Sequence, residues 1–413
     1  MKDNKPASTA LMALENKYGA NNYHPLPVVL DRGEGVFVWD VEGNKYYDFL
    51  SAYSAVNQGH CHPKIINTLV EQAKKLTLTS RAFYNSRLGE FERFVTNYFG
   101  YEKVLPMNTG AEAVETALKL CRKWSYEKKE LAENTAQIVV CENNFHGRTT
   151  TIVSFSVDPD AYTNYGPFTP GFIVIPYNDV VALEKVLNEN KNIAGFLVEP
   201  IQGEAGAYVP DDGYLSKCYE LCNQHNVLFI ADEVQTGIAR TGKLLACDYE
   251  NVHPDILILG KALSGGVYPV SAVLSSAEIM DVFHPGQHGS TFGGNPLAAA
   301  IAISALEVIK DEKLAENAHA LGQIFRTEMR KVCDNSHLAS FVRGKGLLNA
   351  LVINNEGHKN LAWDICLKLL ENGLLAKPTH MNIIRFAPPL VITKEQLLDC
   401  LGVISRTIAE FES

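Results

Sequence analysis

The sequence predicts an α/β protein with a mostly parallel central sheet covered by helices and a smaller α+β domain near its C-terminal end. From about residue 60 to residue 300, short apolar runs alternate with amphipathic stretches of helical period. This alternation is typical of parallel strands joined by helices. A long helical pattern follows Asn295-Pro296, and beyond about residue 305 two strand-like runs, 347–353 and 383–386, lie among further helical segments.

The individual elements follow from the same patterns. Residues 1–50 mix helix with short strands. Helical periodicity is found at residues 113–124, 181–188 and 215–223, and strand-like runs are at 138–140, 172–175, 196–198, 227–231 and 256–259. We therefore divide the chain into an N-terminal segment (1–56), a large ligand-binding domain (57–304) and a small C-terminal domain (305–413).

Composition narrows the class of function. The chain has 413 residues, of which 46% are hydrophobic and 20% charged, as is ordinary for a globular protein large enough for two domains. Its net charge of −10 argues against nucleic-acid binding as a main function. The longest apolar stretch, residues 296–306, is too short to span a bilayer, so we expect no membrane partner.

The N-terminus and the cysteines indicate the compartment. The first residues lack the apolar region of a signal peptide, and the acidic Asp3 and Glu15 precede the first arginine, Arg32, which disfavours a mitochondrial transit segment. Nine scattered cysteines fit free thiols in a reducing compartment. These features predict a cytoplasmic location. Neither Cys218 with Cys222 nor residues 60–62 has the partners of a zinc site, so we expect no metal.

Two residues at predicted strand ends carry the chemical signal. The apolar run 256–259 leads to Lys261 at a glycine-bounded turn, and the run 227–231 leads to Asp232. In a parallel sheet, ligands bind at the carboxyl ends of the strands, where both residues fall. Pyridoxal phosphate (PLP) requires both groups, a lysine amine for its aldehyde and a carboxylate for its pyridinium nitrogen. Taken singly, such a lysine is usually solvated and such an aspartate is usually a helix cap.

A second signal is a phosphate-type helix start at residues 105–113. Thr109 and Glu112 have the spacing of a capping box, and Gly110 lets the backbone approach a ligand. The free N–H groups and the dipole at such a terminus suit a phosphate, although an ordinary capped helix has the same pattern. By contrast, the P-loop-like run 237–243 is followed by Leu244 instead of Ser or Thr, and no strand leads into it, so we do not expect nucleotide binding there.

Taken together, the motifs resemble those of the class III (ω-amino acid) aminotransferases, which have the fold type I architecture of PLP-dependent transferases. The resemblance covers nearly the whole chain. The motifs are Asn108-Thr109-Gly110-Ala111-Glu112-Ala113, Phe145-His146-Gly147-Arg148, Glu199-Pro200 with Gln202-Gly203-Glu204, Ala231-Asp232-Glu233-Val234-Gln235, Gly260-Lys261-Ala262 and Gly289-Ser290-Thr291-Phe292-Gly293-Gly294-Asn295-Pro296. The ornithine-specific members match best, through residues 22–27, 54–63, 81–85, 376–380 and 384–389.

The resemblance implies a role for each site residue. Lys261 would be the Schiff-base lysine and Asp232 the partner of the pyridinium nitrogen, while Gln235 would bind the phenolic oxygen and Phe145 would stack on the ring. The cofactor phosphate would be bound by residues of two subunits of a homodimer, namely Gly110 and Ala111 of one and the Ser290-Thr291 pair of the other. The substrate site would consist of Tyr23, Tyr53, Arg148, Glu204 and Arg385.

The resemblance implies transfer of the δ-amino group of L-ornithine to 2-oxoglutarate, giving L-glutamate 5-semialdehyde and L-glutamate. Such a site must accept ornithine, whose carboxylate is far from the reacting amine, and glutamate, whose α-carboxylate is close to it. Two arginines at different depths would bind these two carboxylates. Glu204 would mask Arg385 by pairing and swing away for glutamate. On residue type alone, both arginines also fit a surface or interdomain ion pair, and both tyrosines fit ordinary packing.

Other interpretations remain open. Within the family they are an acetylornithine or a 4-aminobutyrate aminotransferase, and outside it a PLP-free scaffold, against which Lys261 and Asp232 argue together. One departure from the animal ornithine-specific members is His146, where those enzymes have tryptophan. We also expect a second departure, the lack of a presequence, which argues against a mitochondrial location.

Overall fold

The computed structural model describes residues 7–355 and 357–412. Residues 1–6, where we expect no signal peptide and where the predicted N-terminal segment begins, lie outside the described residues. So do residues 356 and 413 of the predicted C-terminal domain. The helices are α1 (Ala7–Tyr18), α2 (Ser51–Ser54), α3 (Pro63–Ala73), α4 (Leu88–Phe99), α5 (Gly110–Glu127), α6 (Pro159–Tyr162), α7 (Val180–Glu189), α8 (Tyr214–Gln224), α9 (Ala277–Met280), α10 (Pro296–Asp311), α11 (Leu314–Asn335), α12 (Leu361–Glu371) and α13 (Lys394–Glu410).

The strands form three sheets. The strands are β1 (Leu30–Glu34), β2 (Phe37–Asp40), β3 (Lys45–Asp48), β4 (Lys103–Met107), β5 (Gln137–Cys141), β6 (Phe172–Ile175), β7 (Ile193–Val198), β8 (Leu228–Asp232), β9 (Ile256–Leu259), β10 (Ser271–Ser275), β11 (Ala339–Lys345), β12 (Leu348–Ile353), β13 (Leu374–Leu375), β14 (Lys377–Thr379) and β15 (Ile383–Phe386).

The central sheet has seven strands in the order β4-β10-β9-β8-β7-β5-β6. Strands β9, β8, β7, β5 and β6 run parallel, whereas β10 is antiparallel to both of its neighbours. The predicted α/β class with a mostly parallel sheet is confirmed. Pro106 lies within β4, and an edge strand tolerates a proline because one side of its backbone needs no ladder partner.

Helices cover both faces of this sheet. Along β5, Ile138 and Val140 pack on the face that α5 covers, while Val139 and Cys141 pack on the face that α7 and α8 cover. Residues that alternate along a strand point to opposite faces, so each run is apolar throughout because both faces are buried. This double burial explains why the sequence shows continuous apolar runs here rather than alternating ones.

Two four-stranded sheets complete the fold. One has the order β1-β2-β3-β13 and the other the order β11-β12-β15-β14. Strand β13, far along the chain, pairs with β3 in the predicted N-terminal segment, where Leu374 faces Tyr47. The domain boundaries at residues 56/57 and 304/305 therefore stay a prediction.

The P-loop-like run 237–243 has a structural role. Its Arg240 is fully buried and donates to Asn57 Oδ1, to the carbonyl of Leu347 at 3.0 Å and to the carbonyl of Pro388 at 2.7 Å. These partners come from distant parts of the chain, so the guanidinium ties the central sheet's loops to the segment after β15. Burial lowers the pKa of Arg240.

No described helix is long and apolar enough to cross a membrane. All nine cysteines are free. In the two described ranges, no cluster of three His, Cys, Asp or Glu residues could hold a metal ion. The histidines of the 60–62 run instead pair with carboxylates, His60 with Asp48 at 2.7 Å and His62 with Glu312 at 2.8 Å.

Candidate active site

The carboxyl edge of the central sheet contains a cavity of about 200 Å³. Asp232 is the last residue of β8, and Lys261 follows β9, its parallel neighbour, by two residues. The folded chain thus brings both strand-end residues to one place, as the parallel topology predicts. The cavity is lined by Gly110, Ala111, Phe145, His146, Gly147, Glu199, Asp232, Val234, Gln235 and Lys261.

Lys261 has an unusual backbone and an unusual charge environment. Its φ of 45° lies in the left-handed region, which non-glycine residues rarely adopt. Burial, followed by the positive charge of Arg385, lowers the pKa of its amine from 10.5 to about 8, against the opposing effects of Glu204 and Asp232. A larger share of the amine is therefore unprotonated near neutral pH than in a solvated lysine, as a nucleophile or base requires.

Asp232 is buried with both carboxylate oxygens engaged. Its Oδ1 accepts the backbone N–H of Val234 at 3.0 Å, and its Oδ2 lies 2.7 Å from Nδ1 of His146. The side chain of His146 is fully buried. Sequence reasoning treated His146 only as a departure from the ornithine-specific pattern and missed this contact.

Glu199 is a second buried group to which sequence reasoning gave no role. Its Oε2 accepts the backbone N–H of Phe145 at 2.9 Å, which fixes the loop that carries Phe145 and His146 into the cavity. Burial raises the pKa of Glu199 to about 7. Its place in the Glu199-Pro200 motif was the available signal, but no spacing rule connects it to a residue 54 positions earlier.

The start of α5 forms a cradle at the cavity wall. The capping box is present, since Thr109 Oγ1 accepts the N–H of Glu112 at 3.2 Å and the Glu112 carboxylate accepts the N–H of Thr109 at 3.3 Å. Gly110 and Ala111 begin the helix, so their N–H groups have no intrahelical acceptor. A Cβ at Gly110 would lie 3.0 Å from Cγ1 of Val234, a tight contact that glycine avoids.

The glycine-rich loop before α10 lies beside this cradle. Ser290 Oγ accepts a hydrogen bond from the side chain of Asn108 at 2.7 Å, directly before the capping box. Upstream, the ring of His288 is held between Thr116 and Lys119, at 2.8 Å and 2.9 Å. Thr291 is exposed, so its side chain is available to a second chain.

Arg385 lies in β15 and is only 3% exposed. Its Nη1 donates to Glu204 Oε2 at 2.9 Å, to the carbonyl of Gly203 at 3.1 Å and to Gln235 Oε1 at 3.2 Å. The pair Arg385–Glu204 that the sequence suggested is thus formed. Thr379 also donates to the Glu204 backbone carbonyl at 2.8 Å. Gln235 connects this pair to the cavity, of which it forms a wall.

The two tyrosines differ in environment. Tyr53 belongs to α2, whose four residues all have positive φ, and its ring lies 4.6 Å from the guanidinium of Arg385. Burial raises the pKa of Tyr53. Tyr23 is 75% exposed, yet it lies near enough to contribute electrostatically to that shift. The structure therefore places Tyr53 against Arg385 and Tyr23 in the neighbourhood of Tyr53.

Arg148 is exposed, with its guanidinium 5.8 Å from the centre of the Phe145 ring. It forms no ion pair with any residue within 7–355 or 357–412. The surface ion pair that sequence reasoning kept as the alternative is therefore not seen for Arg148, whereas Arg385 does form a pair, with Glu204, at a buried position.

The donor groups in this cavity fit PLP. They comprise an amine for an aldehyde, a buried carboxylate for a pyridinium nitrogen, an aromatic ring and a helix start for a phosphate. Glycine at residue 110 leaves free the space that a Cβ would occupy at 3.0 Å from Val234 Cγ1. The assignment of a role to each residue stays a prediction.

Comparison with known proteins gives one family but more than one substrate name. The class III aminotransferase family model matches residues 18–408. The mitochondrial ornithine aminotransferase of Drosophila ananassae is 62% identical over 401 residues, covering 97% of this chain and 91% of that protein. The mitochondrial ornithine aminotransferase of Rattus norvegicus is 59% identical over 406 residues, covering 98% and 92%.

Two solved structures are similar over nearly the whole length of both chains. The ornithine aminotransferase from Toxoplasma gondii ME49 superposes with a TM-score of 0.97 at 50% identity, covering 99% of this chain and 96% of that one. The acetylornithine aminotransferase from Elizabethkingia anophelis has a TM-score of 0.92 at 70% identity, covering 98% and 100%. The substrate names of these two similar structures therefore differ.

Proposed function

The chain belongs to the class III aminotransferase family, and on that membership we propose that it binds PLP and transfers the δ-amino group of L-ornithine to 2-oxoglutarate. The products are L-glutamate 5-semialdehyde and L-glutamate. The observation that carries the proposal is one cavity that contains Lys261 and Asp232 and whose wall residue Gln235 contacts the Arg385–Glu204 pair. Lys261 and Asp232 suit amino-group chemistry. The Arg385–Glu204 pair suits an enzyme that must accept two donors whose carboxylates lie at different distances from the reacting amine.

Five cavity residues would each have a task toward the cofactor. When bound, PLP supplies an electron-withdrawing ring that stabilises negative charge on the substrate carbon. Lys261 would hold its aldehyde, Asp232 would keep a proton on its ring nitrogen, and Phe145 would stack on its ring. Gly110 and Ala111 would donate N–H groups to its phosphate.

Lys261 is also suited to move a proton. Because its pKa is lowered to about 8, the free amine accepts a proton from carbon and returns it without a large energetic cost at either stage. Its left-handed backbone, reached directly after Gly260, fixes the direction from which the amine enters the cavity.

The two arginines divide the substrate carboxylates between them. Arg148, free of ion pairs among the described residues, would bind the distant carboxylate of ornithine. Arg385 would bind the near carboxylate of glutamate once Glu204 leaves, and until then Glu204 prevents it from gripping the wrong end of ornithine. Tyr53 and Tyr23 would line the path between the two arginines.

We propose a homodimer with shared sites. Thr291 is exposed in a loop beside the cradle and would reach the phosphate of the neighbouring subunit. Large aromatic side chains are also exposed to solvent in the single chain, namely Phe83 (71%), Tyr84 (106%) and Phe292 (47%). Phe292 directly follows Thr291, so burial of this ring and delivery of the threonine would occur together.

A second candidate is acetylornithine as the donor, favoured by the 70% identity to the Elizabethkingia anophelis protein of that name. Both donors present a terminal amine to Lys261 and a distant carboxylate to Arg148, and they differ in whether the α-nitrogen is charged or acylated. A donor panel with 2-oxoglutarate decides between them.

The test is the rate of glutamate formation with ornithine, N-acetylornithine and 4-aminobutyrate at matched concentrations. The proposal predicts that ornithine has the highest kcat/KM. A higher value for N-acetylornithine would establish the second candidate, and a purified protein with no visible absorption band and no turnover would support the PLP-free scaffold.

A further inference from the structure

His146 is bonded to the carboxylate proposed to face the cofactor ring. Its Nδ1 lies 2.7 Å from Asp232 Oδ2, and its side chain has no exposure to solvent. Its Nε2 has no hydrogen-bond partner among the described residues. Asp232 thus determines which nitrogen of the His146 ring carries a proton. The carboxylate oxygen accepts the hydrogen bond, so Nδ1 must donate it.

This contact completes the restraint of the Asp232 carboxylate. Val234 N–H holds Oδ1 at 3.0 Å, and His146 holds Oδ2. A carboxylate has about four acceptor positions, so two bonds fix its plane and leave positions free for a ring nitrogen. Without His146, Oδ2 would have no protein donor among the described residues and the group could rotate about its Cβ–Cγ bond.

Besides its bond to Asp232, the His146 ring is positioned by the backbone contacts of the two neighbouring residues. Glu199 accepts the N–H of Phe145, the residue directly before His146. A Cβ at Gly147, the residue directly after it, would lie 2.9 Å from the Cβ of Ala111, so the loop sits tightly against the start of α5. The orientation of the ring therefore follows from the position of its loop.

The charges around the ring agree with a donating imidazole. Burial lowers the pKa of His146, but the hydrogen bond and the negative charge of Asp232, with a contribution from Glu199, outweigh it and leave the pKa raised. Lys261 is the cation of the same cavity. The charges that act on the ring are thus those of two carboxylates, and the Lys261 amine, whose own pKa is lowered, lines the same cavity.

We propose that His146 is a positioning residue for the proposed PLP chemistry. Its Nδ1–H restrains and orients the Asp232 carboxylate, so that this carboxylate can pair with the ring nitrogen of the bound cofactor and keep a proton there. This rests on the proposed cofactor but on neither donor amino acid.

Two substitutions separate the hydrogen bond from the bulk of the ring. His146→Asn places an amide N–H at the same number of bonds from Cβ as Nδ1, so it retains a donor to Asp232. His146→Phe keeps a ring of similar size beside Phe155, whose ring centre lies 6.0 Å away, and removes the donor. A hydrogen bond to a charged group corresponds to roughly a ten- to hundredfold change in an equilibrium constant.

The experiment measures cofactor binding to the full-length protein with no substrate present, together with the ¹⁵N resonance of ring-labelled PLP. For His146→Phe we expect about tenfold or greater loss of PLP affinity and a shift of the resonance toward the unprotonated nitrogen. His146→Asn should stay near wild type in both. The proposal is overturned if His146→Phe binds within twofold with an unchanged resonance, or if His146→Asn loses as much as His146→Phe. Failure of the wild-type protein to bind PLP would instead defeat the proposed function.

Discussion

Removal of the Glu204 carboxylate should change the balance between the two half-reactions. In the structure this carboxylate accepts from Arg385 at 2.9 Å, while Arg385 keeps two further acceptors, the carbonyl of Gly203 and the side chain of Gln235. Glu204→Ala therefore leaves the guanidinium in place but unmasked. The ornithine half-reaction needs it masked, and the glutamate half-reaction needs it free.

The magnitude follows from the environment of the pair. Hydrogen bonds to charged groups contribute about 1.5–3 kcal/mol. Because the Glu204 side chain is 34% exposed, solvent screening places the pair at the lower end, about 1.5 kcal/mol, which is a factor of roughly ten. We expect the ratio of glutamate to ornithine single-turnover rates to rise by about this factor in Glu204→Ala.

The assay is a single-turnover measurement with each donor separately, for wild type, Glu204→Ala and the matched control Glu204→Gln. The amide keeps a hydrogen bond to Arg385 without the charge, so its ratio should fall between the other two. Equal losses in both half-reactions would show that Glu204 forms a static loop contact and would refute the switch.

Three further predictions concern the cavity and the assembly. Lys261→Ala should abolish turnover and covalent cofactor attachment while leaving the fold intact, and near-normal turnover by this mutant would contradict the assignment. In the wild-type protein, cofactor attachment should accelerate as the pH rises through about 8, the lowered pKa of this amine, because the neutral amine is the form that reacts. Asp232→Asn should lower kcat far more than it lowers the melting temperature, because an amide does not stabilise the proton on the pyridine nitrogen of the cofactor. If the mutant keeps its rate and its cofactor affinity, Asp232 only caps the backbone N–H of Val234. Mixing Lys261→Ala chains with Thr291→Ala chains should restore activity through heterodimers with one intact site, and active monomers in sedimentation would exclude shared sites.

The fold and the two central residues were predictable from the sequence. Doubly buried strands give continuous apolar runs, and parallel neighbours place their carboxyl ends at one edge, so Asp232 and Lys261 meet there. Strand β10 was not predicted, because its five residues Ser271–Ser275 include two serines and a single β-branched residue, Val273, which is a weak strand signal. The pairing of β13 with β3 was equally invisible, since two residues carry no pattern.

The contacts between distant residues were less accessible. The Glu204–Arg385 pair joins positions 181 apart and was suggested by charge complementarity and family resemblance, whereas residue type alone also allowed a surface pair. The His146–Asp232 bond joins a loop to a strand end 86 positions away. No local periodicity or spacing relates two such residues, so only the folded chain shows this contact.

The most direct test of the central claim is the fate of the ornithine nitrogens. Ornithine labelled with ¹⁵N at the δ position, and in a parallel reaction at the α position, is incubated with the protein, PLP and 2-oxoglutarate, and the glutamate formed is examined by mass spectrometry. The account predicts that glutamate carries the δ label and not the α label. Transfer of the α label alone, or no transfer from ornithine while N-acetylornithine reacts, would contradict it.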